Sequence, residues 1–267
     1  MCGICGYAGI RQPASPILRE MMAAMEKYRL GYESAGIATV HKKEIMCLKN
    51  VGQVEKVFPI GSAWSRSLLG SVGLGHVRYP SPKAPTGKSI FAHPFESCDG
   101  KIVLVHNGTI YDYAEIMSGL KSHDFSSLDK ASNRLNDSEV IVHLLEEEIG
   151  KNEENMVEAV RKAYQRLSEN PKNQFLFAFI HLNEPAKIYV VSGKDYESTR
   201  KVAVAFKDGF GSLFASYRDK GIGNRESIKF EALKGFVNPK VDKVEVLDYD
   251  TLALLTNKSY DHIPLRG

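Results

Sequence analysis

The strongest pattern in the chain is helical. Ile17, Leu18, Met21, Met22, Met25 and Tyr28 recur at three- and four-residue spacing, which predicts an amphipathic helix over 16–29. Ser15-Pro16 offers an N-cap and a first-turn proline at its start. The methionines read as core filling, because flexible thioethers pack irregular gaps. Residues 3–10 are small and apolar and fit a strand. Short apolar or alternating runs predict further strands at 36–41, 44–49, 71–77 and 101–105. A polar loop rich in Ser, Asp and Asn spans about 121–136. Asp137-Ser138-Glu139 then opens a second helix through Val140, Ile141, Leu144, Leu145 and Ile149, with acidic residues in its first turn. A third helix is expected from about Glu154 to Leu167. Strands dominate thereafter, at 174–182, 187–191, 201–206, 211–216, 243–247 and 251–255. Strands, a helix pair and more strands predict an α+β layered fold with two sheets and helices outside.

Composition narrows the function classes. The 267 residues are 43% hydrophobic and 25% charged, which excludes wholesale disorder. With no repeat and no Pro/Gly/Ser linker, one domain over 1–267 is expected. Lys and Arg total 35 against 32 Asp and Glu, a net +3, so no nucleic-acid partner is expected. The run Glu146-Glu147-Glu148 reads as a solvated helix face. The longest stretches without Asp, Glu, Lys or Arg reach about eleven residues, well under the ~20 of a spanning helix. No membrane association and no secretory signal are therefore expected, and the location implied is cytoplasmic. Four cysteines, Cys2, Cys5, Cys47 and Cys98, are too sparse for a disulfide scaffold.

Four places could carry chemistry. If Met1 is removed, Cys2 carries a thiol and a free α-amine on one residue. That amine titrates at about 7.7–8.0, which suits it to take the thiol proton. Cys2 and Cys5 also fit a buried structural pair, half a zinc site or a redox pair, but Cys47 and Cys98 stand apart in sequence and complete no second pair. Arg78 ends a strand in Gly75-His76-Val77-Arg78-Tyr79-Pro80-Ser81, where it can fork a carboxylate or be solvated. Asn107-Gly108 after an apolar strand reads first as a hairpin turn; the same turn could aim an amide and a backbone N–H at an oxyanion. Asp137 reads first as an N-cap, and otherwise as a partner for a substrate ammonium.

Taken in order, these segments resemble one family. Met1-Cys2-Gly3-Ile4-Cys5-Gly6, Tyr32-Glu33-Ser34-Ala35-Gly36, Gly75-His76-Val77-Arg78-Tyr79, Ala92-His93-Pro94-Phe95, His106-Asn107-Gly108 and Asn136-Asp137-Ser138-Glu139-Val140 are similar to class II glutamine amidotransferase domains. Such domains occur in the glucosamine-phosphate synthase, amidophosphoribosyltransferase, asparagine synthase and glutamate synthase families. The resemblance implies the four-layer αββα sandwich of the N-terminal-nucleophile hydrolases. It implies Cys2 as nucleophile, Asn107 and Gly108 as oxyanion donors, and Arg78, Ser81 and Asp137 as binders of L-glutamine. It implies no cofactor and no metal, and structural roles for His76 and His93. Hydrolysis of glutamine through a Cys2 thioester is the activity implied.

The sequence departs from the family in two places. Leu30 precedes Gly31 where relatives carry Arg, leaving Arg29 as the nearest cation, and the segment after Arg78 holds Pro80, Pro82, Lys83 and Pro85. The sequence ends at Gly267, where a glutaminase domain would end. Ammonia is therefore expected to pass to a separate synthase subunit, with homo-oligomerisation left open. The rival expectation is a catalytically silent regulatory module of the same fold.

Overall fold

The computed structural model describes residues 1–10, 13–28, 30–80, 85–152, 155–193, 200–218 and 243–266. In chain order the elements are β1 (Gly3–Gly9), α1 (Ala14–Lys27), β2 (Ser34–His41), β3 (Glu44–Val51), α2 (Val54–Val57), β4 (Val72–Arg78), β5 (Phe95–Glu96) and β6 (Ile102–Thr109). There follow α3 (Tyr113–Gly119), α4 (Glu139–Lys151), α5 (Met156–Ser168), β7 (Gln174–His181), β8 (Ile188–Ser192), β9 (Arg200–Lys207), β10 (Gly211–Arg218), β11 (Lys243–Val246), β12 (Thr251–Leu255) and β13 (Tyr260–Pro264).

The strands form a seven-stranded sheet in the order β11-β9-β10-β1-β4-β2-β3 and a six-stranded sheet in the order β13-β12-β8-β7-β6-β5. Alternate residues of a strand face opposite sides, and three apolar clusters show where each side goes. Ile102 and Leu104 of β6, with Phe175, Phe177 and Phe179 of β7, pack against α3, α4 and α5. The intervening Val103, Val105, Leu176, Ala178 and Ile180 meet Ile4, Ala8, Leu74 and Phe214 of the other sheet. Cys5 and Tyr7 of β1 turn outward instead, to Leu18, Met21, Met22 and Met25 of α1. Three apolar interfaces separate four layers, helix–sheet–sheet–helix. Both faces of each sheet are covered, which is why β6 and β7 read as continuous apolar runs rather than as alternating ones.

The predicted helices and strands are present with shifted ends. α1 begins at Ala14 after Pro13, so Ser15 lies inside the helix, where its hydroxyl donates to the Leu68 carbonyl at 2.9 Å instead of capping. The short β5, the last strand β13, and the short α2 and α3 go beyond the elements predicted above. Among the described residues no helix is long and apolar enough to cross a membrane.

Candidate active site

β1 and β4 run antiparallel with Gly3 opposite Val77, so the residue before one strand meets the residues ending the other. The Tyr79 N–H donates to Cys2 Sγ at 3.4 Å. Burial pushes the half-buried Cys2 thiol up, against the pull of that hydrogen bond and of the Arg78 charge. Cys5 faces the other way, its thiol on the Gly75 carbonyl at 3.8 Å. A shared Cys2–Cys5 metal or redox site is thereby excluded, since the alternation of β1 turns Cys5 into the α1 layer.

Arg78 is buried, and both terminal nitrogens are engaged. Nη1 donates to Glu33 Oε2 at 3.0 Å and Nη2 to the Pro85 carbonyl at 2.7 Å. Glu33 Oε1 accepts from the Gly87 N–H at 2.9 Å, which fixes the segment beyond Arg78 to the same carboxylate. Glu33 is itself held by its own N–H, which donates to the Arg78 carbonyl, as does that of Tyr32 (both 2.9 Å). The approach requires Gly31, at φ +84°, because a Cβ there would lie 2.5 Å from the Val77 carbonyl. Sequence reasoning overlooked Glu33, although it lies in the Tyr32–Gly36 segment. Arg29 and Ser81 lie outside the described residues.

Asn107 and Gly108 do not form a hairpin turn. They lie within β6, opposite Leu176 and Phe175 of β7. Gly108 is needed because a Cβ would stand 1.9 Å from the Gln174 carbonyl oxygen. β5 pairs only with Leu104 and Val103, so the edge of β6 away from β7 is open further along. Off that edge His106 N–H donates to His93 Nδ1 at 3.4 Å, and Ile110 N–H to Asp137 Oδ2 at 2.7 Å. The two-residue period of a strand sends the Gly108 N–H the same way, between them. The Asn107 amide nitrogen is buried with no hydrogen-bond partner.

Asp137 is not an N-cap either. Ser138 occupies that position, without a side-chain cap bond. Burial pushes the Asp137 carboxyl up to about 6, against the Ile110 hydrogen bond and the Arg78 charge. Its neighbour Glu139 is fully buried and accepts from both the backbone and the hydroxyl of Ser126 and of Ser127. His76 and His93 stack with ring centroids 3.9 Å apart. His76 Nε2 lies 3.0 Å from the His106 carbonyl, tying the two sheets together at this end. Burial pushes His76 down to about 3 and His93 well below its usual value, so both stay neutral. Cys2, Arg78, Gly108, Ile110 and Asp137 line one cavity of about 270 Å3.

Two stacked antiparallel sheets between helical layers, with Cys2 just ahead of the first strand, define the N-terminal-nucleophile fold class. A family profile described as "Glutamine amidotransferase domain" matches residues 88–192. The chain is 34% identical over 262 residues to a glutamine–fructose-6-phosphate aminotransferase (isomerizing) of Thermococcus kodakarensis, covering 97% of this chain and 37% of that protein. The corresponding protein of Methanosarcina acetivorans is 32% identical over 259 residues, covering 95% of this chain and 36% of that one. The chain thus spans little more than a third of the length of these relatives. In fold it is similar to glutamine phosphoribosylpyrophosphate amidotransferase from B. subtilis, with a TM-score of 0.69, 16% identity and coverage of 99% of this chain and 49% of that one. A glutamine aminotransferase class-II domain protein from Silicibacter pomeroyi matches with a TM-score of 0.58 and 15% identity over the full length of both chains. The chain belongs to the class II glutamine amidotransferase domains, enzymes built on the four-layer αββα sandwich.

Proposed function

We propose that this chain, a single domain, hydrolyses L-glutamine to glutamate and ammonia through a Cys2 thioester. The observation that carries the reading is the buried Asn107 amide nitrogen without a partner. An unsatisfied buried donor costs about 1–3 kcal/mol, and Asn107 directly precedes Gly108 in β6, the residue that lines the cavity together with Cys2. A developing oxyanion supplies the missing acceptor.

In this scheme Met1 is removed and the freed α-amine of Cys2 takes the thiol proton. Sulfur attacks the side-chain carbonyl carbon of glutamine. The resulting oxyanion is held by Asn107 Nδ2 and the Gly108 N–H. The ammonium of Cys2 returns its proton to the leaving nitrogen, ammonia departs, and water cleaves the thioester. Arg78 holds the α-carboxylate with N–H groups not engaged by Glu33 and Pro85, and the Asp137 carboxylate holds the α-ammonium, with Ser81 assisting. The two opposite charges select glutamine over a simple amide. The ammonia serves a synthase component, and we place the activity in the cytoplasm, where thiols stay reduced.

The test is glutamate release by Met1-processed protein with Cys2→Ala as control. Activity in the wild type that Cys2→Ala abolishes supports the reading. Turnover that survives Cys2→Ala removes the nucleophile, and no turnover in processed wild type leaves the silent module.

A further inference from the structure

A second cluster of chemically capable side chains lies outside the glutamine cavity. Cys98 occupies the turn between β5 and β6, His123 the loop after α3, and His143 and Glu146 successive turns of α4. One ligand atom from each falls within 4.8 Å of all the others. Cys98 Sγ lies 3.7 Å from His123 Nδ1 and 3.7 Å from His143 Nδ1. Glu146 Oε2 lies 3.0 Å and 3.1 Å from the same two nitrogens. The run Glu146–Glu148 is therefore not simply a solvated helix face, because Glu146 turns inward to this cluster and also accepts the N–H groups of Cys98 and Asp99.

We infer that Cys98, His123, His143 and Glu146 form a structural zinc site. Zinc takes four thiolate, imidazole and carboxylate ligands tetrahedrally. With Zn–S of about 2.3 Å and Zn–N or Zn–O of about 2.0–2.2 Å, the ligand atoms should stand about 3.3–3.6 Å apart. Four of the six separations bracket that range and the other two are within 4.8 Å, so side-chain adjustments of about an ångström would seat an ion. Charge also balances, since a Cys98 thiolate and the Glu146 carboxylate cancel a divalent cation, and the Cys98 proton leaves to solvent on binding. The mixed sulfur and nitrogen donors favour zinc over magnesium or calcium.

The histidine orientations fit the same assignment. Both rings turn Nδ1 inward, while the outer nitrogens approach carboxylates, His123 Nε2 at 3.6 Å from Glu147 Oε1 and His143 Nε2 at 3.9 Å from Glu139 Oε1. A metal on Nδ1 places the proton on Nε2, facing a carboxylate, the arrangement of metal-bound histidines in general. Hydrogen bonds alone would crowd both Nδ1 groups onto one Glu146 oxygen. The ion would clip the 121–136 loop to α4 and to the β5–β6 turn. Asn136, at the end of that loop, borders the glutamine cavity.

Protein stripped with a chelator should take up one Co2+ per chain, with the sulfur-to-cobalt charge-transfer band of a thiolate ligand. Zn2+ should displace it and raise the melting temperature. Cys98→Ser should abolish the band and His123→Ala should weaken binding at least tenfold, whereas Cys2→Ser should keep both band and affinity. Circular dichroism reports that each variant is folded. Absence of a thiolate band in the wild type, or its persistence in folded Cys98→Ser, overturns the site.

Discussion

Asp137 accepts the Ile110 N–H at 2.7 Å, which ties the residue entering α4 to the segment leaving β6. The carboxylate is thereby turned from the helix it precedes toward the cavity that Cys2 and Gly108 also line. A carboxyl raised from 3.8 to about 6 by burial carries a charge that the folded protein does not fully compensate. A bound α-ammonium is the group that would do so.

The first prediction follows from the sign of that shift. The folded protein keeps a proton on Asp137 from about pH 4 to about pH 6 that the unfolded chain has released. This group's contribution to stability therefore falls as pH rises through that window. Glutamine binding runs the other way, because only the ionised form attracts an ammonium. KM for glutamine should rise as pH drops below about 6, and glutamine should raise the melting temperature more above that pH than below it. Asp137→Asn should raise KM and remove the step. Steady-state kinetics across this range would reject the role if the variant kept the wild-type pH profile.

For Asn107→Ala the expectation is a kinetic loss without a binding loss. Its amide nitrogen has no partner in the resting protein, so in the proposed scheme its hydrogen bond would be made as the oxyanion forms. Removal should cost on the order of 10²–10³ in kcat and little in KM. Because no resting hydrogen bond is broken and an unsatisfied buried donor is removed, the melting temperature should not fall. A variant that alters KM alone would assign Asn107 to substrate binding instead.

Arg78 and Glu33 should behave unequally. In the proposed scheme Arg78→Ala would remove a grip on a carboxylate that changes little during reaction, so KM should rise more than kcat falls. Glu33→Ala leaves the buried guanidinium without its counter-ion and should destabilise the protein by about 3 kcal/mol. Thermal unfolding of both variants checks the order. A Glu33→Ala protein as stable as the wild type would mean that the ion pair contributes nothing.

Retention of Met1 should abolish activity by chemistry. Acylation converts the Cys2 α-amine to a peptide nitrogen, whose delocalised lone pair accepts no proton near neutral pH. Burial already pushes the thiol up, so without its base it stays protonated. A fusion with a cleavable N-terminal tag should be inactive until proteolysis leaves Cys2 first. Equal rates before and after cleavage would demand an internal base in place of the α-amine.

Much of the architecture follows from local periodicity. The Ile17–Tyr28 stripe and the apolar runs of β6 and β7 fix their own elements, because side-chain spacing decides which face can be buried. The order of short segments from Cys2 to Val140 likewise identifies the family in the sequence alone. Asn107-Gly108 looks like a turn locally, yet β7 pairs with it and makes it strand. Asp137 looks like a cap, yet the Ile110 N–H draws it elsewhere. The Glu33–Arg78 pair and the meeting of Cys98 with His123, His143 and Glu146 leave no spacing signature, since their members come from separate elements. Hydrophobic periodicity is a property of neighbouring residues, whereas these partnerships depend on how finished layers stack, and only the tertiary structure decides that.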